Sequence, residues 1–110
     1  MSTVSTHVLD TSRGCPADGI AVRLTRVGDP ATSLADGVTD RDGRVAELGP
    51  EALPPGTYGL TFATAEYFDR IGTSAFYPEV SIQFLVTDPG EHYHVPVLLS
   101  PFAYSTYRGS

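Results

Sequence analysis

Proline and glycine recur along the whole chain, nine and eleven times among 110 residues, and they are spread rather than pooled. They cut the sequence into short apolar segments of strand length, a punctuation that long helices do not tolerate and that suits an all-β sandwich or barrel. Within the segments the side chains alternate. Ile20, Val22 and Leu24 stand against Ala21, Arg23 and Thr25, and Tyr58, Leu60 and Phe62 share one side of another segment. A strand with one buried face carries this period of two.

The alternation predicts strands at 4–9, 20–27, 33–39, 44–48, 58–63, 80–87, 92–99 and 103–107. Gly28-Asp29-Pro30, Pro54-Pro55-Gly56 and Asp88-Pro89-Gly90 separate some of them. Asp40-Arg41-Asp42-Gly43 stands between two others, and its Asp-Gly pair can supply the positive φ of a tight turn. Residues 64–71 break the pattern: Ala65, Phe68 and Ile71 recur at helical spacing, Thr64 is a candidate cap and Gly72 a candidate stop. One short helix is predicted there. At 41% hydrophobic and 110 residues, the chain fits one domain with one core, spanning residues 1–110.

Thirteen acidic against seven basic residues give a formal charge of -6, which repels phosphate backbones and anionic lipid heads. Nucleic acid and membrane are excluded as partners. No stretch approaches the length of apolar chain that a membrane span needs, and the N-terminus shows no signal-peptide pattern. Cys15 is the single cysteine, set in a Gly-Cys-Pro turn, so no internal disulfide can form. A cytoplasmic location is expected.

Three residues can carry chemistry. His7 alternates with Thr6 and Val8 and so faces away from the apolar side of its strand. His94 opposes the apolar set Tyr93, Val95, Val97 and Leu99, and shares its face with Pro96 and Leu98. That face is too apolar for open water and suits a lined cleft or a subunit interface. Imidazoles titrate near neutrality, which fits them to acid-base work. His92 has the parity of His94 but stands at the strand start, where solvent is the expected neighbour. Arg44 follows the Asp-Gly turn, where its planar fork can hold a carbonyl or anionic oxygen. Two histidines without a helical HxxxH spacing or a cysteine cluster fall short of a catalytic zinc site, so no metal is expected.

Taken together, Ser5-Thr6-His7-Val8-Leu9-Asp10, Asp42-Gly43-Arg44, Phe76-Tyr77-Pro78-Glu79-Val80, residues 94–101 and the terminal residues 104–110, which end in Tyr107-Arg108-Gly109-Ser110, resemble the 5-hydroxyisourate hydrolases, the transthyretin-related enzymes of urate breakdown. The likeness covers essentially the whole chain. The hormone carrier transthyretin lacks the Tyr-Arg-Gly-Ser ending and has lysine, glutamate and threonine in the places of His7, Arg44 and His94. Arg44 and the two histidines therefore argue against the main alternative, a transthyretin-like carrier that holds a small ligand without turnover.

The resemblance implies a sandwich of two four-stranded antiparallel sheets with one short α-helix, assembled as a homotetramer, a dimer of dimers. It implies hydrolytic opening of 5-hydroxyisourate to 2-oxo-4-hydroxy-4-carboxy-5-ureidoimidazoline, without a cofactor. His7 and His94 would hold and deprotonate the attacking water, either one being the base. Arg44 would bind substrate oxygens and stabilise the developing charge, and Tyr107 and Ser110 would complete the pocket.

Overall fold

The computed structural model describes residues 3–28 and 31–109. Its elements in chain order are β1 (Val4–Asp10), β2 (Cys15–Pro16), β3 (Ala21–Arg26), β4 (Thr32–Val38), β5 (Arg44–Leu48), β6 (Gly56–Phe62), α1 (Thr64–Arg70), β7 (Val80–Val86), β8 (Tyr93–Leu99) and β9 (Tyr104–Thr106). Every segment predicted from alternation forms a strand. Of the expected Gly28-Asp29-Pro30 turn, Asp29 and Pro30 lie outside the described residues.

The strands make two sheets. One runs β4-β3-β6-β7 and is antiparallel throughout. The other is built around β1. Along one edge β1 pairs with β8, which pairs in turn with β9; along the other it pairs first with β5 and then, beyond His7, with β2. The expected sandwich forms with two departures: this sheet has five strands rather than four, the fifth being the two-residue β2, and one pair has the opposite sense. β1 and β8 run parallel, in register from Val4↔Tyr93 to Asp10↔Leu99. No hairpin joins these two strands, because they stand near opposite ends of the chain and most of the domain serves as the crossover between them. Cys15, expected in a turn, instead belongs to the two-residue β2 opposite Asp10.

Inward positions from both sheets meet in one core. Val4, Val8, Val97 and Leu99 come from one sheet, Val22, Leu24, Leu60 and Phe62 from the other, and each is at most 2% exposed. Burying a side chain of this size contributes about 1.5–3 kcal/mol. Thr6, in the same inward row, is also buried, and its hydroxyl donates to the Val95 carbonyl at 2.6 Å, so no polar group is stranded there.

The helix buries Thr64, Tyr67 and Phe68. Thr64 does not cap it. Ala63 holds the cap position without a side-chain bond, and the Thr64 hydroxyl donates to the Tyr77 carbonyl at 3.2 Å. Thr64 itself is the first helical residue and is buried, with its hydroxyl engaged by Tyr77 rather than by the helix end. The stop is as predicted: Gly72 adopts φ +72°, and the Thr73 N–H closes on the Phe68 carbonyl at 2.9 Å.

A buried carboxylate ties the helix to β1. Asp10 is fully buried, and Tyr67 donates its hydroxyl to it at 2.7 Å. Burial by itself would raise the Asp10 carboxyl, but bonds from the Ser12 and Tyr67 side chains and the Arg13 and Ser12 N–H groups outweigh it and hold it below 3.8. Burial and this same bond push the Tyr67 phenol up to about 12.

Tyr67→Phe removes one donor from a buried anion and should cost about 1.5–3 kcal/mol, the range for hydrogen bonds to charged groups. Urea unfolding should show a lower midpoint with an unchanged slope. The sign with pH follows from the depressed carboxyl: its contribution is complete above 3.8 and is lost as pH falls through the folded value, so the variant should also unfold at a higher pH on acid titration.

Candidate active site

The turn before β5 sets the first side chain. Asp40 accepts the N–H groups of Asp42 and Arg44, each at 2.9 Å, and Gly43 closes the turn at φ +74°. A Cβ on Gly43 would collide with the Val8 carbonyl oxygen. Glycine is required twice here, for the backbone angle and for the approach to β1. The Gly43 carbonyl accepts the Val8 N–H at 2.7 Å, and the register that results places Arg44 directly opposite His7.

On the other edge of β1, Ser5 lies opposite His94 and His7 opposite Pro96. Three strands thus carry Arg44, His7 and His94 onto one outer face, as the alternation of each strand required. Arg44, Ser5, Thr6, Ala46, His92 and His94 line an open cleft of about 260 Å³. His7 lies beside it, close enough that its charge acts on His94. Arg44 is exposed, and among the described residues no carboxylate forms an ion pair with its guanidinium.

His94 is half-buried and gripped on two sides. Its Nδ1 lies 2.7 Å from the Ser5 hydroxyl. Against its other edge lies the C-terminal tail: Gly109 donates its N–H to the His94 carbonyl at 2.8 Å, and a Cβ on Gly109 would come within 2.5 Å of the His94 Cδ2. The tail is held by Thr106, whose hydroxyl donates to the Pro96 carbonyl at 2.7 Å, and by Arg108. The Arg108 guanidinium pairs with Glu91 at 3.0 Å and stacks over the Tyr93 ring at 4.6 Å. Pro96 is buried, with Gly109 beside it, so part of the apolar face noted in the sequence is covered by the chain itself.

Burial lowers the His94 pKa below 6.5, and the charges of Arg44, His7 and His92 lower it further, against a smaller opposing effect of a Ser5 backbone hydrogen bond. At neutral pH this ring is a neutral imidazole with a guanidinium in the same cleft. That combination can accept a proton from water and stabilise an oxyanion.

Tyr107 is not brought into this cleft. With Arg108, Thr106, Phe84 and Tyr93 it lines an adjoining groove of about 340 Å³, and His94 borders both. Ser110 lies outside the described residues. Two participants escaped the sequence reading. The Ser5 hydroxyl bridges His94 and His92, and His92 Nε2 lies 2.7 Å from it. Shared parity with His94 was the available signal for His92. No group of three His, Cys, Asp or Glu side chains among the described residues is arranged to share a metal ion.

Residues 4–109 match the HIUase/Transthyretin family. The 5-hydroxyisourate hydrolase of Mus musculus is 44% identical, over 99% of this chain and 96% of its own length. The solved structure of the Klebsiella pneumoniae 5-hydroxyisourate hydrolase is 43% identical, with a TM-score of 0.88 over 100% of this chain and 94% of that one. Transthyretin from Sparus aurata superposes with a TM-score of 0.91, over 99% of this chain and 97% of that one, at 29% identity. The backbone is thus shared by hydrolase and transthyretin alike.

Arg44→Gln removes a positive charge that opposes the imidazolium form of His94, so its pKa should move up toward 6.5. An NMR titration of the ring protons measures this directly. An unchanged midpoint would show that the guanidinium does not act on the ring.

Proposed function

The chain belongs to the HIUase/Transthyretin family, and we propose that it hydrolyses 5-hydroxyisourate in urate breakdown with the side chains gathered on the outer face of β5, β1 and β8. The observation that carries the assignment of roles is the convergence of Arg44, His7 and His94 from three strands, with His94 held in its neutral form.

His94 takes the proton of the attacking water, and His7, across β1, helps hold that water. The fork of Arg44 faces the oxygen that gains negative charge as water adds to the ring carbonyl. A preorganised donor of this kind is worth about 3 kcal/mol. The proton then goes to the leaving nitrogen as the C–N bond breaks. The side chains supply base, acid and oxyanion partner, and the reading requires no cofactor or metal. Tyr107, across the groove that His94 borders, binds substrate from the other side, and Ser110 is the second substrate-binding residue of this reading.

The working unit is a homotetramer, a dimer of dimers. In support, β9 and β7 are edge strands, and Tyr104, Tyr107 and Leu85 on or beside them are 39%, 58% and 65% exposed. Unpaired edges with apolar side chains are surfaces that a second copy can cover. The location is cytoplasmic, a reading supported by the single free cysteine. Among the described residues no helix is long and apolar enough to cross a membrane.

Urate oxidase generates 5-hydroxyisourate from urate, and its loss can be followed by absorbance. The protein should accelerate that loss over the spontaneous rate, and decay at the spontaneous rate would end the assignment. His7→Ala, Arg44→Ala and His94→Ala should each lower kcat/KM by about a hundredfold or more while light scattering still reports a tetramer. Excess chelator should leave the rate unchanged.

A further inference from the structure

The reading of His94 as base leaves the bridge between Ser5 and His92 without a role. Ser5 is 7% exposed, and its Oγ lies 2.7 Å from His94 Nδ1 and 2.7 Å from His92 Nε2. We propose that Ser5 and His92 form a proton relay behind His94, which fixes the tautomer of His94 and carries its positive charge to the solvent-exposed ring of His92.

Valence limits how the three groups can share their hydrogens. A serine hydroxyl has a single hydrogen to donate, so when both rings are neutral it donates to one ring nitrogen and accepts N–H from the other. Two arrangements satisfy both contacts. In the first, His92 Nε2–H donates to Ser5 and Ser5 donates to His94 Nδ1; His94 then carries its hydrogen on Nε2 and has no lone pair left for water. In the second, His94 Nδ1–H donates to Ser5 and Ser5 donates to His92 Nε2, which leaves the His94 Nε2 lone pair free. Only the second lets His94 act as a base on water in the cleft. Gly109 against Cδ2 keeps the ring from turning away from this alignment.

The proton count closes. When His94 Nε2 takes a proton from water, its Nδ1 proton moves to the Ser5 oxygen while the Ser5 hydrogen moves to His92 Nε2. Ser5 ends with the one hydrogen it began with, His94 is neutral with its hydrogen on Nε2, and His92 is the cation. Delivery of the Nε2 proton to the leaving nitrogen, with the relay running backwards, restores the start.

The charges around the bridge favour this direction. His94 is half-buried and faces Arg44 from β5 and His7 from β1, both of which oppose a positive ring. His92 is exposed at the start of β8, so a positive charge costs less on its ring than on the half-buried ring of His94.

The relay rests on the assignment of His94 as base, and two readouts separate the two ideas. Nitrogen-15 chemical shifts of the histidine rings in the whole protein report tautomers without any turnover. His94 should carry its hydrogen on Nδ1 with a bare Nε2, and Ser5→Ala should shift it toward the Nε2–H form. Wild-type His94 already in the Nε2–H form, or no change in Ser5→Ala, would overturn the relay.

In the 5-hydroxyisourate assay, Ser5→Ala and His92→Gln should each lower kcat by about tenfold to a hundredfold, with KM held within about twofold. Ser5→Thr, which keeps the hydroxyl, should restore most of the rate, and added imidazole should partly restore His92→Ala. Unchanged kcat in both Ser5→Ala and His92→Gln would also overturn the relay. A wild-type protein without activity would instead defeat the hydrolase assignment, while the tautomer measurement still decides whether the bridge is ordered as described.

Discussion

The parallel pairing of β1 with β8 is the constraint on which everything else rests. Its register joins Val4 to Tyr93 and Asp10 to Leu99, and because strand side chains alternate, that one register fixes two surfaces at once. Inward it stacks Val4, Thr6 and Val8 beside Tyr93, Val95 and Val97. Outward it sets Ser5 against His94 and His7 against Pro96. A slip of one residue would drive the histidines into the core and the valines into water. The cost of bringing together segments 89 residues apart is set by loop closure, and the buried Thr6 hydroxyl on the Val95 carbonyl is one of the contacts that fix the register.

Around that pair the protein solves an electrostatic problem. Its net charge of -6 gives no general attraction for an anionic or oxygen-rich substrate, so positive charge has to be concentrated locally. The turn at Asp40 places Arg44 one strand from His7 and two from His94. The carboxylate of Asp40 is satisfied by the N–H groups of Arg44 and Asp42, which hold its pKa below 3.8. The same guanidinium that can receive developing negative charge also disfavours protonation of His94. In the proposed reaction one side chain thus stabilises the oxyanion and also adds to the burial that keeps the base neutral.

How much of this was legible depended on the range of the interaction. Alternation, a local property, located each predicted strand and put His7 and His94 on faces opposite the core. The Asp-Gly turn before Arg44 was legible for the same reason. The parallel sense of β1 and β8 was not, since it is a pairing between distant segments that neither strand's composition encodes. His92 was read as a solvent residue at a strand end, and it is exposed; its bond to Ser5 exists only because β1 lies alongside. Thr64 had the chemistry of a cap, but Tyr77, thirteen residues on, offered its hydroxyl a carbonyl instead. No local pattern in the sequence singled out Gly109. Only the structure shows that its missing side chain is what lets the tail lie on the His94 ring.

That last contact bears on how one backbone can serve both a carrier and an enzyme. Similarity of fold does not separate the two, because the chain superposes as well on transthyretin as on a hydrolase. What can separate them is confined to the outer face of one sheet and the tail that borders it. The sandwich core is indifferent to what stands at positions 7, 44 and 94, since these residues point away from it. A lysine, glutamate or threonine there would leave every inward contact of β1, β5 and β8 intact. The tail is different, because a residue larger than glycine at position 109 must displace either itself or the imidazole. The demand of the proposed site on the fold is therefore narrow. It needs three outward side chains on adjacent strands, a hydroxyl to orient one ring from behind, and a terminal segment slim enough to hold that ring from the side.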